Sequence, residues 1–478
     1  MNKPLRILLV ASPKTIMGFD RVTRLPNLGL CSIAANLDRN ICDVKVVDLV
    51  VAGRKPRNYL QRLLKEYQPD VVGFSCMIFQ YVEALELAQL TKAFNKNIKV
   101  VMGGYYPTVD YDVILERDDM NYIDFIIRNE GEIAFNALIK ELNGKNNFED
   151  VPNLSYRDNG SIRHNPSGGL LDLDEIKLPD RDVRVIKKGF HFFGVPADCI
   201  ETSRGCVYKC KFCNITQMYG QSFRTYKIER VIEDLRDVQR RGVRSVFISD
   251  DNIAIDGERY KELCQAIVDA KLNDIRYTVQ ISIDGIVRCP GLVEIMIKSG
   301  VKMLQLGIEN AYRDTLDFLG KRGRFKKSDA YEVISEFRKH NVAIVGSFII
   351  GNPNDTEETI YENFEYAKSI KVDMPLFLIL TPFPKTPLRE EMIKQGLITN
   401  LDDYTKYDLF HANVKTKYLT PERLYELREK MAYKAYNNPS AVRRLFRNMP
   451  RAYIKHILKY LMERPEDFFG YIRGAFSR

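Results

Sequence analysis

The chain alternates short apolar runs with amphipathic, helix-like stretches, and it does so in two series along its 478 residues. The first series runs from residue 5 to residue 142, and the second runs from residue 199 to residue 381. Strands that alternate with helices pair in parallel, because each crossover helix returns the chain to the end of the sheet at which the previous strand began. The pattern therefore predicts two α/β units in one chain.

The first series predicts a doubly wound parallel sheet over residues 1–145. Its apolar runs are short and rich in Val, Ile and Leu, as expected of strands that are buried on both faces. The predicted strands are 5–10, 44–49, 71–75, 99–102 and 125–128, and the predicted helices are 28–37, 59–67, 82–94 and 132–142. Sheets of this kind bind ligands beyond the carboxyl ends of their strands.

The second series predicts a partial (β/α)6 barrel over residues 196–390. Its strands are expected at 199–202, 245–249, 277–281, 303–307, 343–350 and 376–381, with helices between them at 228–241, 257–270, 290–298, 328–340 and 357–370. We expect a linker with a small hairpin over 146–195 and a basic helical extension over 391–478. In parallel barrels, the side chains at the carboxyl ends of the strands carry the chemistry.

Three of the nine cysteines fall within eight residues, directly after the first predicted barrel strand. Cys206, Cys210 and Cys213 have the spacing C-x3-C-x2-C. Three thiolates suit an iron–sulfur cluster with one open iron, whereas structural zinc usually takes four ligands. Zinc and a buried cysteine trio remain alternatives, although Cys199 and His191 are awkwardly spaced as further ligands. The other six cysteines are scattered, which indicates a reducing, cytoplasmic setting rather than a disulfide framework.

This cysteine motif resembles that of the radical SAM superfamily, and the resemblance covers about residues 198–385. It implies that S-adenosylmethionine (SAM) chelates the open iron of a [4Fe–4S] cluster held by the three cysteines. One electron from the cluster then cleaves SAM and yields a 5′-deoxyadenosyl radical. The protein's part is to position the substrate and to exclude water from that radical.

Polar residues at successive strand ends match the places where this superfamily contacts SAM. The candidates are Asp250 or Asp251 for the amino group, Gln280 and Ser282 after the third strand, Glu309 for the ribose, and backbone at Gly351 for adenine. Each one alone also reads as a helix cap, a surface charge or a turn. The segment after the sixth strand resembles a Pro-Phe-Pro-Gly-Thr motif, with Lys385 in place of the glycine.

The first series resembles the cobalamin-binding domain of B12-dependent radical SAM enzymes, a Rossmann-like fold. The resemblance lies in Pro26-Asn27-Leu28-Gly29-Leu30, Asp70–Ser75, Gly103-Gly104-x-x-Pro107-Thr108 and Glu130-Gly131-Glu132. It implies cobalamin contacts from Ser75, Gly103, Gly104, Thr108 and Glu130. The first histidine of the chain is His164, so this domain offers cobalt no imidazole. The alternatives are a domain that has lost its corrin and glycines that only make turns.

The region 440–478 carries nine Lys or Arg residues and three acidic residues, with apolar residues at helical spacing. Such a basic amphipathic helix can lie on an anionic membrane, or it can pack on the barrel with a solvated basic face. We expect no nucleic-acid partner, because no RNA-binding signature follows the barrel. No stretch approaches the ~18 apolar residues of a membrane span.

The combined pattern predicts a cytoplasmic enzyme that methylates an unactivated carbon of a hydrophobic or lipid-like small molecule. Membrane association through the basic helix is left open beside the packed alternative. An electron donor such as flavodoxin or ferredoxin is implied. One alternative is radical cyclisation or rearrangement of a tetrapyrrole or lipid without methyl transfer. Another is an RNA-modifying, methylthiotransferase-like enzyme, which would need a second cluster, and the wide spacing of Cys31, Cys42 and Cys76 argues against it. A corrin-binding sensor without catalysis would leave the cysteine motif unexplained.

Overall fold

The computed structural model describes residues 3–13, 23–53, 55–116, 122–158, 160–321 and 323–436. Two large sheets organise this part of the chain. The first has seven strands in the order β3-β1-β4-β5-β6-β7-β8, and the second has eight in the order β17-β16-β15-β14-β13-β10-β9-β2. The predicted α/β class, with a doubly wound sheet followed by a partial barrel, is confirmed.

The first sheet is covered on both faces. Its region contains, in chain order, β1 Leu5–Ala11, β2 Thr23–Arg24, α1 Leu28–Ala35, β3 Cys42–Asp48, α2 Pro56–Tyr67, β4 Val71–Ser75, α3 Tyr81–Phe94, β5 Lys99–Gly103, α4 Tyr105–Val109, α5 Tyr111–Glu116, β6 Phe125–Ile127, α6 Gly131–Leu142, β7 Leu154–Asp158 and β8 Ser161–His164. On β1, Ile7 and Leu9 pack towards α1 and α6, whereas Leu8 and Val10 pack towards α2 and α3. Burial on both faces explains why this run is continuously apolar.

The hairpin lies within the first sheet rather than in a free linker. β7 pairs antiparallel with β6, and β8 pairs antiparallel with β7. The turn residues predicted a hairpin, but only tertiary pairing decides which edge it covers, and here it covers the edge that β6 would otherwise expose. Further along the supposed linker, the backbone of 183–185 pairs with Val46 on the opposite edge, at N···O distances of 2.9 and 2.8 Å.

The second sheet is curled, and six of its strands, β10 and β13 to β17, are parallel. Its region contains β9 His191–Phe192, β10 Val195–Ile200, β11 Ser203–Arg204, α7 Ile215–Tyr219, β12 Arg224–Thr225, α8 Ile228–Arg240, β13 Ser245–Ile248, α9 Gly257–Asp269, β14 Arg276–Ile281, α10 Ile283–Val287, α11 Leu292–Lys298, β15 Val301–Glu309, α12 Arg313–Phe318, α13 Lys327–Lys339, β16 Ala343–Ile350, α14 Glu357–Ser369, β17 Met374–Ile379, α15 Pro387–Lys394 and α16 Pro421–Tyr436. All six predicted barrel strands are present.

Two short antiparallel strands extend this second sheet beyond β10. β9 pairs with β10, and β2 from the beginning of the chain pairs with β9. Segments from both sides of residue 145 therefore enter both sheets. The domain boundaries that the sequence places at residues 145, 195 and 390 stay predictions.

The helix α16 packs on the outermost strand of the barrel. Leu424, Leu427 and Met431 are fully buried there, and Arg428 Nε donates to Phe377 O at 3.3 Å. The predicted basic amphipathic helix falls in residues 437–478, which lie outside the described residues. Among the helices that are described, none combines the length and the apolar character needed to cross a bilayer.

A buried ion cluster ties the segment after the hairpin to the barrel. The side chain of Arg181 is fully buried and lies 2.5 Å from Asp234 on α8 and 3.5 Å from Asp198 on β10. It also donates to Cys199 O at 2.9 Å. The neighbouring Arg184 pairs with Asp198 at 2.5 Å. Such charges are tolerated in the interior because each has a partner.

We expect the substitution Arg181→Met to lower the free energy of unfolding by about 3–5 kcal/mol, because Asp234 would keep a buried charge without its partner. The measurement is urea unfolding followed by circular dichroism. The control is Arg39→Met, which breaks an exposed pair with Asp180 at 2.7 Å and should cost less than about 1 kcal/mol. Equal losses for the two variants would contradict the assignment.

Candidate active site

Two cavities lie at the carboxyl ends of the strands. The junction cavity has a volume of about 680 Å³ and lies between the loops that follow the first sheet's strands and the first strands of the barrel. The cysteine cavity has a volume of about 500 Å³ and lies over the carboxyl ends of β13 to β17. Both positions are those where α/β sheets and parallel barrels place their ligands.

All three predicted cysteines line the cysteine cavity. Their loop is held by backbone hydrogen bonds, with Lys211 N donating to Leu319 O at 3.1 Å and Leu388 N donating to Lys211 O at 3.1 Å. Burial raises the pKa of the Cys206 thiol to about 11 and that of Cys213 to about 12. A bound metal centre would offset this cost, since metals bind and stabilise the thiolate form.

A glycine immediately precedes the cysteine loop. Gly205 has a φ of +87°, and a Cβ atom there would lie 2.4 Å from the backbone oxygen of Ser222. Its N–H donates to the carboxylate of Asp251 at 3.1 Å. The chain thus turns sharply into the cysteines, and only glycine fits the turn.

The three cysteines share a cavity wall without converging on a single point. Within the described ranges, no group of three or more His, Cys, Asp or Glu side chains is arranged to hold one metal ion. The histidines of the described residues line neither of the two cavities. That Cys206, Cys210 and Cys213 are the ligands of an iron–sulfur cluster stays a prediction.

Four of the predicted SAM contacts line the cysteine cavity: Asp251, Gln280, Ser282 and Glu309. Burial raises the pKa of Asp251 to about 7, and the neighbouring Asp250 and Glu201 add to this effect. Glu309 has a φ of +65°, and its carboxylate lies 2.5 Å from Lys321 Nζ. Burial lowers the pKa of Lys321, but Glu309 and Cys210 together outweigh burial and hold this pKa above its usual value, so Lys321 stays charged.

The other two predicted SAM contacts, Asp250 and Gly351, do not line the cysteine cavity. The Asp250 carboxylate accepts hydrogen bonds from Thr202 N at 2.7 Å, Thr202 Oγ1 at 2.5 Å and Ser203 Oγ at 2.6 Å. Asp250 therefore fixes the strand that leads into the cysteine loop, and it does not line the cysteine cavity. Gly351 does not line this cavity either, and a Cβ atom there would pack 3.5 Å from Leu424 and Val414.

Four of the five predicted cobalamin contacts line the junction cavity: Ser75, Gly103, Gly104 and Glu130. Gly104 has a φ of +99°, and a Cβ atom there would lie 2.9 Å from Cys76 O, so the loops after β4 and β5 can touch only through glycine. Thr108 does not line this cavity. Its hydroxyl donates to Gly104 O at 2.8 Å and accepts from Asn129 N at 2.9 Å, which ties neighbouring loops together.

The Glu130 carboxylate is hydrogen-bonded to other residues of the protein. Its two carboxylate oxygens accept from Arg204 Nη1 at 2.7 Å, from Arg224 at 3.0 Å and from Leu171 N at 2.9 Å. Glu132 accepts from Arg204 Nη2 at 2.7 Å. Burial raises the pKa of Glu132, but the Arg204 guanidinium, together with hydrogen bonds from backbone and from Ser32, holds this pKa below its usual value. Glu130 thus joins the first sheet to the residue two positions before Cys206.

Three residues line both cavities: Met77, Tyr105 and Gln280. Tyr105 begins α4, and its ring meets that of Tyr219 edge-on with centroids 6.5 Å apart. Burial, followed by its neighbours Tyr219 and Asp251, raises the pKa of Tyr105 well above its usual value, so the phenol stays neutral. These residues form the boundary between the two cavities. Sequence reasoning missed Met77 and Tyr105, because nothing in the local pattern marks them.

Two cations next to the cysteines were also missed. Arg324 Nη1 lies 3.4 Å from Cys210 Sγ, and its guanidinium stacks 3.9 Å from the Tyr208 ring centroid. Lys321 donates to Gly307 O at 3.3 Å besides its pair with Glu309. The available signal was the segment 319–328, which contains five Lys or Arg residues and no acid.

We expect Gly205→Ala to displace the cysteine loop, because the added Cβ collides with backbone. Iron and sulfide retained after anaerobic reconstitution should fall severalfold relative to the unchanged chain. Gly220→Ala is the matched control, since Gly220 has a φ of +61° but nothing within 4 Å of an added Cβ. Equal retention in both variants would show that the turn at Gly205 does not position the cysteines.

Comparison with known proteins agrees with this arrangement. The profile of the B12 binding domain matches residues 15–139, and that of the Radical SAM superfamily matches residues 200–367. An uncharacterized methyltransferase of Pyrococcus horikoshii is 30% identical over 92% of this chain and 94% of its own length. Hopanoid C-3 methylase of Methylococcus capsulatus is 29% identical over 90% of this chain and 81% of its own length.

Among solved structures, the radical S-adenosylmethionine methyltransferase TsrM from Kitasatospora setae, with cobalamin and a [4Fe–4S] cluster bound, has the same fold. Its TM-score is 0.72 at 15% identity, over 91% of this chain and 92% of that chain. The two matched domain families confirm the predicted pairing of a cobalamin-binding domain with a radical SAM domain, and with it the family's cofactor set of cluster, SAM and cobalamin. The chain therefore belongs to the cobalamin-dependent radical SAM enzymes.

Proposed function

We propose that this protein methylates an unactivated carbon of a hydrophobic small molecule. The observation that supports this most directly is the boundary formed by Met77, Tyr105 and Gln280, which line both cavities. A corrin in the junction cavity and SAM in the cysteine cavity would face each other across these three side chains. Methyl transfer from one cofactor to a carbon activated by the other needs such proximity.

The cysteine cavity has the donors that a cluster and SAM require. Cys206, Cys210 and Cys213 would hold three irons, since thiolates are the ligands of such clusters. Asp251, the carboxylate exposed to this cavity next to the cysteine loop, would accept from the SAM ammonium group. Glu309, whose carboxylate lies 2.5 Å from Lys321 Nζ, would accept from the ribose hydroxyls.

Gln280 and Ser282 complete this wall at the end of β14. Ser282 Oγ caps α10 by accepting from Gly285 N at 3.3 Å, and Asn252 Nδ2 donates to it at 3.1 Å. Its rotamer is therefore fixed before any ligand arrives. Preorganised donors and acceptors of this kind place a ligand without further reorganisation.

The junction cavity fits a large, flat ligand held by backbone. Gly29 and Gly103 line it, and Cβ atoms there would meet only Asn27 Oδ1 at 3.5 Å and Ile127 O at 3.4 Å. No described histidine lines this cavity, in keeping with a cobalamin bound without an imidazole from this domain. Cobalamin would supply the methyl group, and SAM cleaved with one electron from the cluster would supply the radical that removes a hydrogen atom from the substrate.

The wall of the cysteine cavity away from the cysteines is apolar. Ile78 and Val109 come from the first sheet's loops, and Leu380, Phe383 and Leu409 come from the segment after the barrel. An apolar wall of this kind favours a hydrophobic substrate.

A cytoplasmic location is also part of the proposal, because all nine cysteines are free thiols and none forms a disulfide. Contact with a membrane through 440–478 is an additional proposal that rests on the sequence alone.

We expect the reconstituted protein to convert SAM to 5′-deoxyadenosine and to transfer methyl groups from deuterium-labelled SAM into the organism's lipids or pigments. Mass spectrometry of extracts would detect a product that carries one labelled methyl group. Cys206→Ala should abolish both signals, because the cluster would lose an iron ligand. Formation of 5′-deoxyadenosine with an unlabelled, ring-closed product would instead favour the cyclisation alternative, and loss of neither signal in the variant would contradict the proposed site.

We expect Gly29→Leu to exclude corrin while it leaves the cluster intact, because a leucine would occupy space on the wall of the junction cavity. Cobalamin absorbance per chain, after purification with cobalamin supplied, should fall at least severalfold. Iron and sulfide counts should not change. Gly29→Ala is the matched control and should retain cobalamin, since a methyl group meets no protein atom closer than 3.5 Å. Full retention in the leucine variant would place the corrin elsewhere.

A further inference from the structure

Leu409, in the wall of the cysteine cavity, has an unusual backbone conformation. Its φ is +71°, in the left-handed region that glycine adopts freely and that residues with bulky side chains avoid. Among the described non-glycine residues with a positive φ, it is the one aliphatic residue, and most of the others are Asn or Lys. Such a conformation costs free energy, so the surrounding structure must hold it in place.

The neighbours of Leu409 fix this conformation from both sides. Its carbonyl oxygen accepts from the backbone N–H of Ile379, the last residue of β17, at 2.8 Å. The Asp408 carboxylate accepts from Phe410 N and from His411 N, both at 3.0 Å, and its second oxygen lies 2.8 Å from His411 Nδ1. Since Asp408 and Phe410 are both buried, the backbone at Leu409 cannot relax without breaking these contacts.

Packing of the side chain does not account for a leucine at this position. Leu409 is only half-buried, and it lines the cysteine cavity. A glycine or an asparagine would make the same backbone hydrogen bonds with less strain. Strained residues of this kind cluster at sites that bind ligands, where the strain holds a group in a defined position. The isobutyl group of Leu409 is therefore held for the cavity rather than for the core.

The side of the cavity that contains Leu409 is built from hydrocarbon groups. Leu378 and Leu380, from β17 and the residue after it, and Phe383 lie in the same wall. The charged residues of the cavity come instead from the loop after β13 and from the segment 309–324, which include the proposed SAM contacts. The wall beside β17 is thus left for the part of the substrate that carries no charge.

We propose that Leu409 is a specificity-determining residue that limits the length of the substrate's hydrocarbon part. The inference rests on the proposed function, since it takes the substrate to occupy the cysteine cavity beside SAM. Because the backbone of Leu409 is fixed, its side chain cannot move aside for a longer ligand. A CH₂ group that would collide with Leu409 stays in water or displaces the wall, so it adds no affinity.

The test measures how affinity depends on the chain length of a simple hydrocarbon ligand. The protein is loaded with cobalamin, the oxidised cluster and SAM, so that the cofactor sites are filled. Straight-chain alcohols from butanol to decanol are then titrated by isothermal calorimetry. Each CH₂ group that becomes buried should raise the affinity about fourfold, until the chain meets Leu409 and the affinity levels off.

We expect Leu409→Ala to let affinity rise for about one to three further carbons before it levels off, since the side chain has lost three carbons. Leu409→Phe should make it level off at a shorter chain. Leu401→Ala is the matched control, because Leu401 belongs to the same segment, is 47% exposed and does not line the cavity. This control should level off at the same length as the unchanged protein.

An unchanged levelling length in Leu409→Ala would overturn the proposal, and so would a loss of affinity that is equal for all alcohols. If Leu409→Phe does not fold, as judged by circular dichroism, Leu409→Ala decides alone. Affinity that does not rise with chain length in the unchanged protein would also overturn the proposal, because the cavity would then take no hydrocarbon chain.

The strain at Leu409 has a test of its own. We expect Leu409→Gly to unfold at a higher urea concentration than Leu409→Ala, because glycine adopts a φ of +71° freely and alanine does not. At a position without strain, alanine is the more stable of the two. That order would show that Leu409 is not held under strain, and it would overturn the proposal.

Transfer of labelled methyl groups into extracts separates this inference from the proposed function. Labelled products together with an unchanged levelling length in Leu409→Ala would overturn the role of Leu409 and leave the methyl transfer standing. A shifted levelling length without labelled products would support the role of Leu409 in the cavity and contradict the methyl transfer.

Discussion

One buried guanidinium holds the two halves of the site in register. Arg204 bonds to Glu130 and Glu132 at the start of α6 and to Glu201, three residues before it in the chain, at 2.7, 2.7 and 2.8 Å. The buried carboxylates of Glu130 and Glu132 require such a partner, because an unpaired buried charge is strongly destabilising. Since Cys206 lies two residues further on, the same interaction that neutralises these acids also sets where the cysteine loop stands relative to the junction cavity.

Most of the architecture could be predicted because it depends on local periodicity. The run at Leu5–Ala11 is buried on both faces and reads as a strand on its own. β2 and β9 contain two residues each, so no periodicity exists to detect, and their pairing depends on the packing of distant segments. The edge chosen by the hairpin was missed for the same reason, although its turn was recognised.

The site was predictable where position along a strand decides function. Asp251 follows β13 and Glu309 ends β15. These strands are parallel and separated by β14, their carboxyl ends lie at the same end of the sheet, and both residues line the cysteine cavity. Asp250 and Asp251 are adjacent in the loop after β13, so their position in the sequence does not show which of them faces the cavity. In the structure, the Asp250 carboxylate accepts from Thr202 N instead. The partner of Glu130 could not be predicted either. A carboxylate in a loop can bind a ligand or pair with an arginine, and only the folded structure shows that Glu130 pairs with Arg204.

The strand β2 has a consequence for how this protein can be taken apart. Thr23 and Arg24 pair with Phe192 and His191 at the edge of the barrel's sheet, although their neighbours in sequence build the first sheet. The two halves are thus interlaced rather than joined end to end. A chimera spliced at the midpoint between the sequence series would strip the barrel of its terminal strand, so a transplantable cobalamin module must carry its barrel-edge partner with it.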